Sequence, residues 1–191
     1  DTRYILLSGA AGLLAGAFSM AAGEWVSVRS QREMYEHQIG LERDELDEYP
    51  EEEAQELALI YAARGMPREE ALTLARRQCA DPVNALQTLA REELGLNPDE
   101  LGSPWGAASS SFLAFSVGAM VPLLPFIIGS GAQALMGTLV LTGLALFLVG
   151  AAISLFTGRS AVRDGLRMLG IGALTGGITY AVGAALGVGT A

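Results

Sequence analysis

The stretch LGSPWGAASSSFLAFSVGAMVPLLPFIIGSGAQALMGTLVLTGLALFLVGAAISLFTG occupies residues 101–158 and contains no charged residue. A helix that crosses the hydrocarbon core of a bilayer needs roughly 20 apolar residues, so this stretch is long enough for two such helices. Its predicted break is Gly129-Ser130-Gly131, a short polar interruption of the apolar run. The stretch therefore predicts two membrane-spanning helices joined by a tight turn.

Two further uncharged stretches, residues 4–23 and 168–191, have the length of a membrane-spanning helix. The composition agrees, because 51% of the residues are hydrophobic and 24 are glycine. The sequence thus predicts an all-α, polytopic membrane helix bundle. Its four spans are expected near residues 4–28, 105–128, 133–156 and 166–189.

The segment 29–104 is a charged island that holds all but three of the 21 acidic residues. Between residues 29 and 48 the only glycine or proline is Gly40, so the first spanning helix is expected to continue out of the membrane and to end at Pro50. Further stop and start signals predict several short helices within the island. The predicted domains are a transmembrane helix over 1–28, an acidic helical domain over 29–104 and three transmembrane helices over 105–191.

Arginine supplies all 12 positive charges, and its distribution predicts the orientation of the chain. Arg159, Arg163 and Arg167 cluster between the third and fourth spans, whereas the turn between the second and third spans has no charge. Loops rich in arginine stay on the cytoplasmic side. The acidic island lies two spans before this cluster in the chain. Because each span crosses the membrane once, the island is expected on that same side. We therefore expect residues 29–104 to be cytoplasmic, in an integral protein of the bacterial inner membrane.

Two Glu-x-x-Glu pairs flank Pro50 within the island: Glu42 with Glu45, and Glu53 with Glu56. Residues three apart share one face of a helix. A chain reversal at Pro50 would bring the two pairs onto adjacent helices, where four carboxylates could bind divalent cations. The spacing alone leaves a second explanation open, because a run of acidic residues is commonly a solvated surface.

The sequence gives no sign of a catalytic site, and we expect no enzyme, no permanently bound cofactor and no nucleic-acid partner. His37 lacks the Glu-x-x-His arrangement of di-iron sites and is expected to be an exposed helical residue. The glycine-rich last span lacks the lysine and the preceding strand of a phosphate loop. Small residues at such spacing allow membrane helices to pack closely.

Four segments in chain order resemble the vacuolar iron transporter family. They are AGAFSMAAGEW at 15–25, SQRE at 30–33, REELGL at 91–96 and VPLLP at 121–125. The resemblance implies a homodimer in the lipid bilayer that exports ferrous iron, and manganese in many members, from the cytosol in exchange for protons. It also implies a cytoplasmic metal-binding domain at the position of the acidic island.

The resemblance also implies which residues bind the transported metal. The carboxylate ligands of the family's cytoplasmic domain fall on Glu42, Glu45, Glu53, Glu56 and Glu93. Met20 matches a methionine of the transmembrane ion path. Glu24 is not assigned by the resemblance; it is a carboxylate in or near the first span, placed either in the path or at its cytoplasmic mouth. The transported Fe²⁺ or Mn²⁺ would be the only metal.

The sequence departs from the family pattern in the ion path. The family's first span, with its Asp-Gly motif, has no counterpart here, so the chain is expected to be a fragment that lacks it. Gly12 stands where some members carry a glutamate. Two other functions remain open from the sequence: a membrane-anchored metal-binding or metal-sensing protein without transport, and an adaptor whose acidic loop binds basic partners.

Overall fold

The computed structural model describes residues 2–187 and is all-helical over this range. A 3₁₀ turn, Val121–Leu123, follows α5. The α-helices of the described residues are α1 (Thr2–Glu48), α2 (Pro50–Ala63), α3 (Arg68–Cys79), α4 (Pro82–Glu92), α5 (Pro104–Met120), α6 (Leu124–Ile128), α7 (Gly131–Thr157) and α8 (Ala161–Ala185).

Four helical segments are long and apolar enough to cross a membrane, which confirms the all-helical class and is consistent with four spans. They are α1, the continuous stretch Pro104–Ile128, α7 and α8. The break at Gly129-Ser130-Gly131 is confirmed, because α6 ends at Ile128 and α7 begins at Gly131. The predicted fourth span reached residue 189, which lies outside the described residues.

Helix α8 starts at Ala161, five residues before the predicted start of the fourth span near residue 166. Residues 161–165 contain no proline, and the extended backbone of Ser160 precedes the first helical turn. Arg163 and Arg167 therefore lie on α8 itself. Of the arginine cluster, only Arg159 belongs to the connection with α7.

Helix α1 is one continuous rod from Thr2 to Glu48, as the absence of strong helix breakers predicted. Pro50 occupies the first position of α2, where its missing N–H leaves no bond unmade, and Glu51, Glu52 and Glu53 form an acidic first turn. These carboxylates interact favourably with the positive end of the helix dipole. The chain reversal between α1 and α2 therefore needs only Tyr49.

The chain separates into two compact units. One comprises the described residues up to Phe18 together with those from Phe112 onward, and the other comprises Ser19–Ser111. The divisions fall inside α1 and α5, since both helices continue from one unit into the other. We call Ser19–Ser111 the helical unit and the remaining described residues the membrane unit.

The helical unit has its own hydrophobic core, in which Leu57 of α2 and Leu89 of α4 are fully buried. Leu46 of α1 and small alanines of α3 and α4 pack against them. Polar contacts join the same helices: Tyr61 donates a hydrogen bond to Gln78 Oε1 at 2.8 Å. Ion pairs link Arg76 with Glu51 and Arg64 with Glu92. Four helices thus share one small core.

In the membrane unit, α7 and α8 approach closely through glycines. A Cβ atom at Gly150 would lie 2.5 Å from the backbone oxygen of Asp164, and one at Gly165 would lie 2.7 Å from the ring of Phe147. Small residues allow membrane helices to reach such separations. Close packing against α7 accounts for Gly165 and Gly172 of the last span. A Cβ at Gly170, Gly176, Gly177 or Gly183 would meet nothing within 4 Å, so the predicted packing role holds for only part of the glycine pattern.

We expect Gly150→Ala to destabilise the membrane unit by about 1–3 kcal/mol, because the added methyl group would push α7 away from the α8 backbone. The matched control is Gly170→Ala, since a Cβ there meets nothing within 4 Å. Thermal unfolding of the purified protein in detergent measures both. Equal unfolding temperatures for the two variants would contradict this account of the helix contact.

Candidate metal centre

Three glutamates from separate elements of the helical unit converge on one point. Glu42 comes from α1, Glu53 from the first turn of α2, and Glu93 directly follows α4. One carboxylate oxygen from each lies within 4.8 Å of the others. The chain reversal at Tyr49 brings Glu42 and Glu53 together. The backbone N–H of Glu93 donates a hydrogen bond to the Leu89 carbonyl at 2.8 Å, so the helical geometry of α4 extends to Glu93.

Each of these glutamates lies four residues from a leucine of the hydrophobic core. Glu42 precedes Leu46, Glu53 precedes Leu57, and Glu93 follows Leu89. Residues four apart share one side of a helix. Burial of the three leucines therefore places the three carboxylates on the inner sides of their helices. The hydrophobic effect, rather than any attraction between the acids, assembles the cluster.

Glu42 and Glu53 are almost completely buried, with exposed fractions of 4% and 5%, whereas Glu93 is exposed. Burial and the neighbouring carboxylates Glu93 and Glu53 raise the pKa of Glu42 to about 8. Burial also raises the pKa of Glu53, although a hydrogen bond with Glu42 opposes the rise. Without a cation, the pair holds a shared proton at neutral pH.

Two oxygens of the cluster are buried without a hydrogen-bond partner among the described residues: Glu42 Oε1 and Glu53 Oε2. A buried acceptor without a partner is unfavourable, so these atoms have capacity for a ligand. Six-coordinate divalent ions with metal–oxygen bonds of about 2.1 Å place ligand oxygens about 3.0–4.2 Å apart. Small side-chain movements from the observed spacing would satisfy this geometry.

Glu45 and Glu56, the other two predicted ligands of the domain, are exposed. They lie close enough to the cluster to act on it electrostatically. Burial raises the pKa of Glu93 most, and the charges of Glu56 and Glu45 add to that rise. The structure therefore groups three predicted ligands tightly and leaves these two at the edge of the group.

Met20 and Glu24, the predicted residues of the ion path, lie one turn apart on α1 and are both exposed. They take no part in the glutamate cluster. His37 is exposed on the same helix and also lies outside the cluster, as predicted. The acids of the island and the candidate path residues are thus separate groups.

Polar groups that the sequence analysis did not single out occur in the apolar helices. Over residues 2–187, the buried hydroxyls of Ser116 and Thr142 find no hydrogen-bond partner. By contrast, the neighbouring Thr138 donates to the backbone oxygen of Pro122 at 2.9 Å. A hydroxyl within an uncharged span is the only sequence signal for such groups, and it does not reveal whether the group has a partner.

Comparison with known proteins gave a consistent set of similarities. A family model described as the VIT family matches residues 1–184. The "Vacuolar iron transporter" of Acanthamoeba castellanii is 36% identical over 190 residues, which cover 94% of this chain and 68% of that protein. "Vacuolar iron transporter 1" of Arabidopsis thaliana is 31% identical, with coverages of 94% and 72%. "Vacuolar iron transporter 2" of Oryza sativa subsp. japonica is also 31% identical, with coverages of 97% and 76%.

These relatives are eukaryotic and vacuolar by name, so they give no support to the expectation of a bacterial inner membrane. Together with the four apolar helices, they do support an integral membrane protein.

We expect the metal-free protein to lose stability as the pH rises from about 4.5 to about 8. The folded state keeps a proton on Glu42 that the unfolded chain releases, so deprotonation favours unfolding over this range. Glu42→Gln should flatten this part of the profile, and the exposed Glu70→Gln should retain the parent slope. Thermal unfolding at several pH values measures all three. A parent-like slope in Glu42→Gln would contradict the prediction.

We also expect Glu53→Gln to weaken Mn²⁺ binding about tenfold or more, because it removes a buried anionic ligand. Titration calorimetry of the purified protein provides the measurement, with Glu70→Gln as the matched control. Affinity should rise from pH 6 to pH 8 in the parent, since metal must displace the proton held by the cluster. Unchanged affinity in Glu53→Gln would exclude this cluster as the binding site.

Proposed function

Since this chain belongs to the vacuolar iron transporter (VIT) family, we propose that it exports ferrous ions, and manganous ions as well, from the cytosol in exchange for protons. Family membership supports metal-ion transport by a membrane protein. On this chain, the observation that carries the proposal is the convergence of Glu42, Glu53 and Glu93 with two buried oxygens left unpartnered.

In this proposal the glutamate cluster captures the ion. Its donors are all carboxylates, which suit divalent ions of hard or borderline character. Glu45 and Glu56, exposed at the edge, add negative charge that attracts cations from solution. We therefore assign all five glutamates to capture, with the three converging residues as the main ligands.

Met20 and Glu24 form the entry to the membrane path in this proposal. Their one-turn spacing puts them on a common side of α1, and both side chains are accessible. A thioether is a soft ligand and a carboxylate a harder one, and together they suit ferrous iron. The exposure of Met20, at 46%, also suits a path completed by a second copy of the chain in a homodimer.

The sidedness of the proposal rests on the arginines at the junction of α7 and α8. Arg159, Arg163 and Arg167 favour the cytoplasmic side. The connection between α6 and α7 is uncharged and belongs on the opposite side. Counting back two spans puts the helical metal-binding domain, residues 29–104, in the cytoplasm, where it would meet ions before transport.

Exchange for protons follows from the chemistry of the ligands. A carboxylate binds either a proton or a metal ion, so the two compete. Because burial raises the pKa of Glu42 to about 8, a change of pH near neutrality alters the proton occupancy of the cluster. A proton gradient could then drive metal release.

A membrane-anchored metal-binding or metal-sensing protein without transport is the alternative. The capture cluster lies wholly within the helical unit, which has its own hydrophobic core, so binding there does not by itself require a path through the membrane. The two functions differ in whether bound metal crosses a sealed bilayer.

The test is uptake of Fe²⁺ by sealed vesicles that contain the purified protein and a metal-quenched fluorophore in the lumen. We expect quenching that depends on the protein and accelerates when the lumen is more acidic. Met20→Leu keeps the size of the side chain but removes the sulfur, and should slow uptake several-fold. Met34→Leu is the matched control, since Met34 is exposed on the same helix.

Saturable Fe²⁺ binding without uptake would reject transport and favour the metal-binding alternative. Equal uptake by Met20→Leu and Met34→Leu would reject the role of Met20 but leave the capture cluster unaffected. Uptake that does not respond to the pH gradient would reject proton exchange.

A further inference from the structure

A cavity of about 690 Å³ lies in the membrane unit, where α7 ends and α8 begins. It is far along the chain from the glutamate cluster and contains no candidate ligand of the transported metal. The residues that line it are Arg159, Ser160, Arg163, Asp164, Leu166 and Arg167.

Arg163 and Arg167 are four residues apart and share one side of the first turns of α8, whereas Arg159 lies in the connection just before that helix. None of them forms an ion pair with a carboxylate within residues 2–187, where the observed pairs involve other arginines. Asp164 is the only acidic residue in the lining. The cavity thus holds three cationic groups against one anionic group, an excess that attracts an anion.

The frame of the cavity is held by close helix packing. Asp164 and Gly165 lie at the points where α8 meets Gly150 and Phe147 of α7 without room for an added methyl group. Arg163 and Arg167 flank this contact along the chain. Close packing at Asp164 and Gly165 therefore holds the backbone between Arg163 and Arg167 against α7.

The ends of two long apolar helices meet at this cavity, which puts it at the level of the lipid headgroups. The orientation of the α7–α8 connection relative to the membrane requires only positive charge. It does not require three guanidinium groups around a common cavity.

We propose that this cavity binds the phosphate-bearing headgroup of an anionic phospholipid. Guanidinium groups bind phosphate through two parallel hydrogen bonds, and basic pockets between spanning helices suit such headgroups. Ser160 supplies a hydroxyl beside the arginines. The proposal is independent of metal transport and of which face of the membrane the cavity occupies.

The test measures phospholipid retained by the purified protein in native mass spectra, with dioleoyl phosphatidylglycerol or dioleoyl phosphatidylcholine added to the detergent. We expect preferential retention of phosphatidylglycerol by the parent. Arg163→Gln/Arg167→Gln should lower that retention about fivefold or more, without affecting phosphatidylcholine. Arg68→Gln/Arg77→Gln removes the same charge from exposed positions of α3 and should match the parent.

A second variant covers the case in which the glutamine variant fails to insert in the membrane. Arg163→Lys/Arg167→Lys keeps the charge that orients the loop but loses the paired hydrogen bonds, and should lower retention about threefold. Retention equal to the parent in whichever of the two variants is folded would overturn the proposal. An equal loss in Arg68→Gln/Arg77→Gln would also overturn it. Displacement of the lipid by excess inorganic phosphate would overturn the lipid assignment in favour of a soluble anion.

Discussion

Burial of Leu46, Leu57 and Leu89 is the interaction on which the helical unit depends, and it holds the carboxylates of Glu42, Glu53 and Glu93 together against their mutual repulsion. Carboxylate oxygens within 4.8 Å of one another repel when all three groups are ionised, and a cation between them would remove that repulsion. In its absence a shared proton lowers the repulsion, and two oxygens remain unpartnered. The folded domain therefore holds three carboxylates whose negative charge a bound cation would neutralise.

The surrounding helices tolerate this arrangement because their hydrophobic contacts are made elsewhere. Leu46, Leu57 and Leu89 pack with small alanines of α3 and α4, and these hydrophobic contacts offset the cost of holding the carboxylates close together. Ion pairs between α2 and its neighbours strengthen the same contacts from outside. The glutamates of the cluster and the leucines of the core are thus different residues, four positions apart along the same helices.

Much of the architecture could be predicted from the sequence. Uncharged length predicts the spans, and the Gly129-Ser130-Gly131 break predicts the division of the longest stretch, because both depend on local chemistry. The start of α8 at Ala161 could not be predicted in this way, since a hydropathy pattern cannot distinguish a charged first turn of a helix from a loop.

The unequal burial of the site residues could not be predicted from Glu-x-x-Glu spacing. That spacing treats Glu42 and Glu45 alike, although only Glu42 is buried. The distinction depends on which positions face the core, and the interval of four residues to Leu46, Leu57 and Leu89 carries that information. The burial of Glu42 and Glu53 and the missing hydrogen-bond partners of their oxygens are properties of packing between helices that are distant in sequence.

Because α1 is continuous, it fixes the distance between the glutamate cluster and Met20, and that distance limits how an ion can move between them. Glu42 and Met20 stand on the same helix, and a rise of 1.5 Å per residue separates them by about 33 Å. No side chain reaches across such a gap, so an ion cannot pass directly from one to the other. In a transporter built this way, the domain acts as a local reservoir: it raises the concentration of ions near the membrane, and each ion reaches the entry by diffusion after release.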